Sequence, residues 1–230
     1  MAATDSDPIA NIARVKRSKS EARRAYNRLS RFYDLLAGSS ERPAREAGLE
    51  LLRVQPGEHV LEIGCGTGQA LVTLAQAAGE EGRVVGIDIS ERMLARAAQR
   101  LAKAGLSGRV TLQQGDAAEI DLGQAAYNAV FMSFVLELFD TPDIPRVLAN
   151  CRRAMKPGGR ICVAVLAKSA QPGFAERLYG WAHERFPAYA DCRPIYPRPA
   201  LQAAGFKVPV VRGMRMWGLP VEVVMALKMD

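Results

Sequence analysis

Val60-Leu61-Glu62-Ile63-Gly64-Cys65-Gly66-Thr67-Gly68 is a short apolar run that breaks into glycine at every second position. An apolar run bounded by glycine reads as a buried strand, and Gln69–Ala78 beyond it has helical character. A glycine-rich turn between strand and helix suits a nucleotide-like ligand. Glycine permits the sharp turn and lets ligand atoms approach the backbone closely. The spacing Glu-x-Gly-x-Gly-x-Gly differs from the GxGxxG of dinucleotide enzymes. No GKS or GKT follows, which excludes a phosphate-binding P-loop.

Working outward, strands and helices alternate. His59–Ile63 is a strand, Arg83–Ile87 a second, Val110–Gln114 a third and Ala129–Ser133 a fourth. The intervening helices are Gln69–Ala78, Glu91–Ala104 and Ile144–Met155. Lys156-Pro157-Gly158-Gly159 reads as a tight turn into a fifth strand, Ile161–Leu166. That order implies right-handed crossovers and a parallel, doubly wound α/β sheet of the Rossmann-like kind. Runs this apolar match strands buried on both faces.

The flanks differ. Asp7 to Ala37 reads as one helix with an apolar-aromatic face of Ala22, Tyr26, Leu29, Tyr33 and Leu36. Gly38-Ser39-Ser40 ends it, and a second helix runs from Arg42 to Leu52. After residue 167 the chain turns rich in proline and aromatics, with a helix from Phe174 to Phe186 and a short one at Pro199–Ala204. Val208–Val211 and Val221–Lys228 are two closing strands, giving seven in all. The expected organisation is a single domain. Residues 1–40 form a basic helical lid, 45–167 the ligand-binding core, and 168–230 an apolar substrate cover with the last strands.

With 230 residues and 49% hydrophobic types, the composition is that of one globular domain. The longest apolar run, Asn128 to Phe139, is interrupted by Glu137 and falls short of a membrane span. The polar first twenty residues predict no secretory signal. Four cysteines without CxxC spacing or neighbouring histidines suit neither zinc nor a disulfide framework, and predict a reduced, cytoplasmic protein with no bound metal. Charge is uneven. Arg14 to Arg31 holds eight basic residues and one acid, whereas the middle of the chain is mildly acidic. That is not a nucleic-acid coat.

Two acids recur at the strand ends. Asp88 closes the second strand in Gly86-Ile87-Asp88-Ile89-Ser90, where a carboxylate accepts both hydroxyls of a ribose. Its plainer reading is a cap for the next helix, a job Ser90 can also do. Asp116 follows the third strand at the same sheet edge.

With Glu62 and the glycines, these stations resemble the class I S-adenosylmethionine (SAM) dependent methyltransferases, over roughly residues 45–167. The resemblance implies SAM as cofactor and S-adenosylhomocysteine as product. It implies that Glu62 supports the loop near the methionine ammonium, and that Gly64, Cys65, Gly66 and Gly68 lie along the methionine and ribose. Asp88 would take the ribose hydroxyls, Ile89 and Met93 would pack near adenine, and Asp116 with Ala117 would meet the adenine amino group. Ser133 and Phe134 would flank the methionine and face the substrate. A nicotinamide oxidoreductase is the rival on this architecture, and the glycine spacing and closing strands argue against it.

Methyl transfer from a sulfonium is a direct displacement, so positioning and desolvation carry it and no triad is required. Candidates for proton transfer are few. Tyr26 and Tyr33, seven apart on one helix face, pack against the sheet or close over SAM, and Tyr33 then also contacts the cofactor. His183 is a candidate base, with a packing role the plainer reading. His59 starts the first strand away from the ligand edge. Glu137 reads as a rim residue.

Asn27 to Leu36 (NRLSRFYDLL) resembles the UbiE-like quinone-biosynthesis group. That likeness implies a small, lipophilic acceptor, quinol-like or lipid. Phospholipid N-methyltransferases share the layout and remain an alternative, as does a non-catalytic SAM sensor. The basic stretch 14–31 would suit peripheral contact with an anionic membrane at roughly 1 kcal/mol per basic residue near the surface. The alternative is a solvated helix face. A homodimer is left open, and nucleic acid is not an expected substrate.

Overall fold

A computed structural model describes residues 12, 14–15, 18–30, 38–169, 171, 173–185 and 192–229, without the side chains of 182–184. The alternation seen in the sequence becomes β1 (His59–Ile63), α3 (Gln69–Ala78), β2 (Arg83–Asp88), α4 (Glu91–Lys103), β3 (Val110–Gln114), β4 (Tyr127–Ser133), α5 (Asp143–Ala154) and β5 (Met155–Leu166). Ahead of it lie α1 (Lys19–Leu29) and α2 (Gly38–Leu52). Behind it come α6 (Phe174–Arg185), α7 (Pro197–Ala203), β6 (Phe206–Met216) and β7 (Leu219–Lys228).

The seven strands form one sheet in the order β3-β2-β1-β4-β5-β7-β6. β1 to β5 pair in parallel, and β7 inserts antiparallel between β5 and β6. The order reverses between β1 and β4. That switch point is where an open α/β sheet leaves a crevice beyond its carboxyl ends. Successive strand residues divide between two cores. Val130, Met132, Ile161 and Val163 pack on one face, while Ala129, Phe131, Cys162 and Ala164 pack on the other. Burial on both faces is the physical reason these strands read as continuous apolar runs rather than alternating ones.

Several boundaries move. The long first helix is replaced, in its described part, by α1 starting at Lys19. Ser18 Oγ accepts the Glu21 amide (3.3 Å) and Glu21 Oε2 accepts the Ser18 amide (2.8 Å), a capping box that fixes the helix start. Residues 31–37, including Tyr33, lie outside the described residues. Gly38-Ser39-Ser40 opens α2 instead of closing the preceding helix. Lys156–Gly159 lies inside β5, where the pairing steps from Tyr127↔Met155 to Ala129↔Arg160, and Gly158 takes φ +68° to absorb the extra residues. The closing strands are longer than expected, because Phe206–Met216 and Leu219–Lys228 pair across a turn at Trp217-Gly218. Met214 and Met216 thereby belong to β6. No helix among the described residues is long and apolar enough to cross a membrane.

Candidate functional site

The glycine loop leaves β1 with Gly64, Gly66 and Gly68 all at positive φ, between +52° and +79°. The three glycines do different work. A Cβ on Gly64 would stand 2.3 Å from Val135 Cγ2, so the loop passes tightly against the segment after β4. A Cβ on Gly68 would stand 2.9 Å from Ala97 Cβ, which lets α3 and α4 approach. Beside Gly66 nothing lies within 4 Å: it borders the cavity.

Asp88 completes this turn. Its Oδ2 accepts the Gly66 amide and its Oδ1 the Ser90 amide, both at 2.8 Å. Ser90 Oγ accepts the Met93 amide and so caps α4. The capping role therefore belongs to Ser90, and each Asp88 oxygen keeps a lone pair for a further donor. Burial pushes the Asp88 carboxyl up, against the pull of the Ser90, Gly66 and Ile89 amides.

The cavity runs along the carboxyl edge of β1, β2, β3 and β4. Gly64, Gly66, Asp88, Ile89, Met93, Asp116, Ala117, Ser133 and Phe134 all line it, so nine of the expected cofactor positions come together there. Three others do not line it. Glu62 lies buried beneath the loop, and Gly68 serves helix packing. Cys65 turns into the core, its sulfur 3.2 Å from where a Cβ on Gly86 would stand.

Glu62 Oε2 and Ser133 Oγ are buried without a hydrogen-bond partner. Such atoms are costly unless a ligand donor meets them. Burial pushes the Glu62 carboxyl well up; Arg45 works against this and Asp88 with it. Orphaned acceptors near a bare glycine edge, with apolar Ile89, Met93 and Ala117 alongside, fit a cation-bearing nucleoside.

The remaining wall was only partly legible in the sequence, which offered Tyr26 and a helical lid but not the residues around them. Val15, Lys19, Ala22 and Tyr26 line the cavity from the N-terminal segment, and Val135, Leu138, Phe139, Asp140 and Asp143 line it from beyond β4. Lys19, Ala22 and Tyr26 share one helix face, the signal that periodicity offers. Lys19 Nζ reaches Asp116 Oδ2 and Glu119 Oε1, both at 2.6 Å, and Asp143 Oδ2 at 3.8 Å. Burial opposes the Lys19 charge, and the hydrogen bonds to Asp116 and Glu119 more than offset it. Arg14 Nε and Nη2 donate to the Asp140 carboxylate, and the Val15 amide donates to the same group. Asn27 accepts from Ser90 Oγ (2.6 Å) and donates to Glu91 (2.7 Å). α1 is thus pinned across the opening by polar contacts.

Glu137 is corrected from rim to core. It is fully buried, and its Oε1 accepts the Leu166 amide. Arg193, also buried, donates to Thr141 Oγ1 and to the Phe139 carbonyl, holding the cavity wall after β4. Among the described residues, the aromatics of the expected substrate cover do not line the cavity. Phe174, Trp181 and Trp217 face solvent, and Tyr179 packs on the core. His183 falls in α6, and its side chain is not among those described.

Residues 60–159 match the family model for a methyltransferase domain. Over that stretch the chain is similar to methyltransferase domains. It is 27% identical over 166 residues to a demethylmenaquinone methyltransferase of Desulfitobacterium hafniense, covering 70% of this chain and 65% of that one. A nocamycin O-methyltransferase of Saccharothrix syringae is 37% identical over 136 residues, covering 59% of this chain and 48% of the relative. The match therefore spans half to just under two thirds of those proteins. Among solved structures, the [4+2]-cyclase SpnF superposes with a TM-score of 0.74 at 18% identity, covering 93% of this chain and 97% of the cyclase. This fold alone does not fix the reaction.

Proposed function

We propose that this chain transfers a methyl group from SAM to a small lipophilic acceptor of the quinol kind, releasing S-adenosylhomocysteine. The observation that carries the reading is Asp88, a carboxylate held by two loop amides at the rim of a cavity with apolar walls. The demethylmenaquinone methyltransferase similarity supports the acceptor class.

Bound there, the sulfonium would supply an electrophilic methyl carbon that an acceptor displaces directly. The protein's share is placement. Asp88 would accept the ribose hydroxyls, Asp116 the adenine amino group and Ser133 the methionine ammonium, with Glu62 supporting the loop beneath it. Ile89, Met93 and Ala117 would enclose the base. Tyr26 reaches the same cavity from α1 and is the candidate group for orienting the acceptor or taking its proton. Leu138 and Phe139 would keep water from the transfer. The loop Gly64–Gly68 acts through its backbone, so Cys65 contributes no side chain. Tyr33 and His183 stay candidates from the sequence.

The exposed face of α1 carries Arg23, Arg24 and Arg28, while its apolar side, Ala22 and Tyr26, is spent on the cavity. Peripheral contact of residues 14–31 with an anionic membrane would thus be electrostatic, with no apolar insertion by α1.

The test is transfer from methyl-labelled SAM into a whole-cell extract, partitioned between organic and aqueous phases. Label in an organic-phase quinone supports the proposal, and label in a phospholipid overturns the acceptor class. Tight SAM binding with no labelled product under single-turnover conditions overturns catalysis.

A further inference from the structure

The chain has two tryptophans, Trp181 and Trp217, and both are exposed, at 59% and 69%. They sit on neighbouring elements. α6 is two-sided: Ala175 and Tyr179, one turn apart, pack on the core, and Tyr179 Oη donates to the Cys192 carbonyl at 2.7 Å. Phe174, Leu178 and Trp181, spaced four and three apart, form the other face and are 84%, 54% and 59% exposed. The β6–β7 turn folds onto the first turn of this helix, since a Cβ on Gly218 would stand 3.3 Å from Ala175 Cβ. Trp217 is held there at φ +52°, a conformation a bulky residue rarely adopts. Four large apolar side chains are thereby gathered in water, where scattered single ones would be unremarkable.

The rim of this patch is basic. Residues 168–185 and 215–217 contain Lys168, Arg177, Arg185 and Arg215 against Glu176 and Glu184, a net charge of +2, while Arg212, farther back along β6, is paired with Glu50. All four of these rim residues are exposed. A second copy of the chain would bring like charges face to face. An anionic lipid surface supplies the complementary charge, and aromatic side chains with basic neighbours suit the headgroup boundary.

We propose that the outward face of α6 together with the β6–β7 turn is a membrane-docking surface for a bilayer containing anionic lipid. α6 follows β5 at the carboxyl edge of the sheet, the edge that carries the cavity, so docking brings the site's end of the molecule to the bilayer. The proposal concerns a surface distinct from the α1 arginines and rests on no assignment of the acceptor.

Both tryptophans lie in the patch, so the tryptophan emission of the whole protein, excited selectively over its tyrosines, reports on it alone. Vesicles of phosphatidylcholine mixed with phosphatidylglycerol should shift the emission to the blue, and brominated acyl chains should quench it. Pure phosphatidylcholine should do so less. Phe174→Ser combined with Trp217→Ser should weaken vesicle partitioning about tenfold or more, with melting temperature and SAM affinity unchanged. Co-sedimentation with unshifted emission would overturn the proposal, as would failure to bind either vesicle. A blue shift that grows with protein concentration without lipid would assign the patch to self-association, against it. Arg23→Glu/Arg24→Glu/Arg28→Glu should leave the shift in place; its loss in that variant would move the anchor to α1.

Discussion

Lys19 Nζ lies 2.6 Å from Asp116 Oδ2, an ion pair between the first helix and the loop after β3 at the position assigned to the adenine amino group. The other Asp116 oxygen accepts the Ala118 amide at 2.9 Å. Asp116 therefore has two tasks, holding α1 and meeting the base. The same ammonium also reaches Glu119 and Asp143, so α1 is fastened through one lysine to three carboxylates.

Lys19→Met should loosen that fastening without unfolding the sheet. An ion pair this exposed is worth less than about 1 kcal/mol, which translates to an increase of about two- to fivefold in S-adenosylhomocysteine release. Stopped-flow release at low and high salt checks it. The native protein should become faster with salt, and the variant should be insensitive.

Asp88→Asn should weaken SAM binding strongly. Losing charged acceptance of two ribose hydroxyls, at about 1.5–3 kcal/mol each, corresponds to roughly a hundredfold or more. Because Asp88 also accepts the Gly66 and Ser90 amides, the asparagine variant is preferable to alanine: its amide oxygen keeps one of those bonds. Calorimetry measures the affinity, and an unchanged value would remove the ribose assignment.

The Arg14–Asp140 anchor should respond to acid. The Arg14 guanidinium, followed by the Val15 and Thr141 amides, holds the Asp140 carboxyl down at about 2, against burial. A depressed carboxyl stabilises the fold above its unfolded value, near 4, and that contribution is lost as the pH falls through about 2. An NMR titration of the Asp140 carboxyl should show the low midpoint, and truncation of residues 1–17 should return it toward the ordinary value.

Gly64→Ala and Gly66→Ala should separate folding from binding. At Gly64, φ +67° and a contact of 2.3 Å with Val135 act together. A loss of about 2–5 kcal/mol follows from strain plus overpacking. Gly66, at φ +52° with open space around it, should lose about 1–2 kcal/mol of stability. The Gly66 variant should stay folded and lose SAM affinity. Thermal melts and calorimetry on the pair distinguish these outcomes.

The sequence by itself determined the strands, the crossover helices and the loop at the switch point, because each rests on a local pattern. Val60–Gly68 carries its own apolar run and turn chemistry, and Asp88 and Asp116 follow their strands at fixed short distances. Beyond Tyr26 and the helical face that carries it, the second wall of the cavity was decided by tertiary structure. Arg14 and Asp140 are 126 residues apart, and Lys19 and Glu119 are 100 apart. A chain with 31 basic and 24 acidic residues offers many such pairings. Charge attraction is not selective in sequence, so packing chooses among them. Glu137 shows the same limit. One acid in an apolar run reads as a surface residue, yet the end of β5 presents the Leu166 amide to it and makes it core. Trp181 and Trp217 show the converse: their apolar character suggested a cover over the substrate. The docking of Ala175 and Tyr179 fixed which side of α6 turns inward, and it left those rings in water.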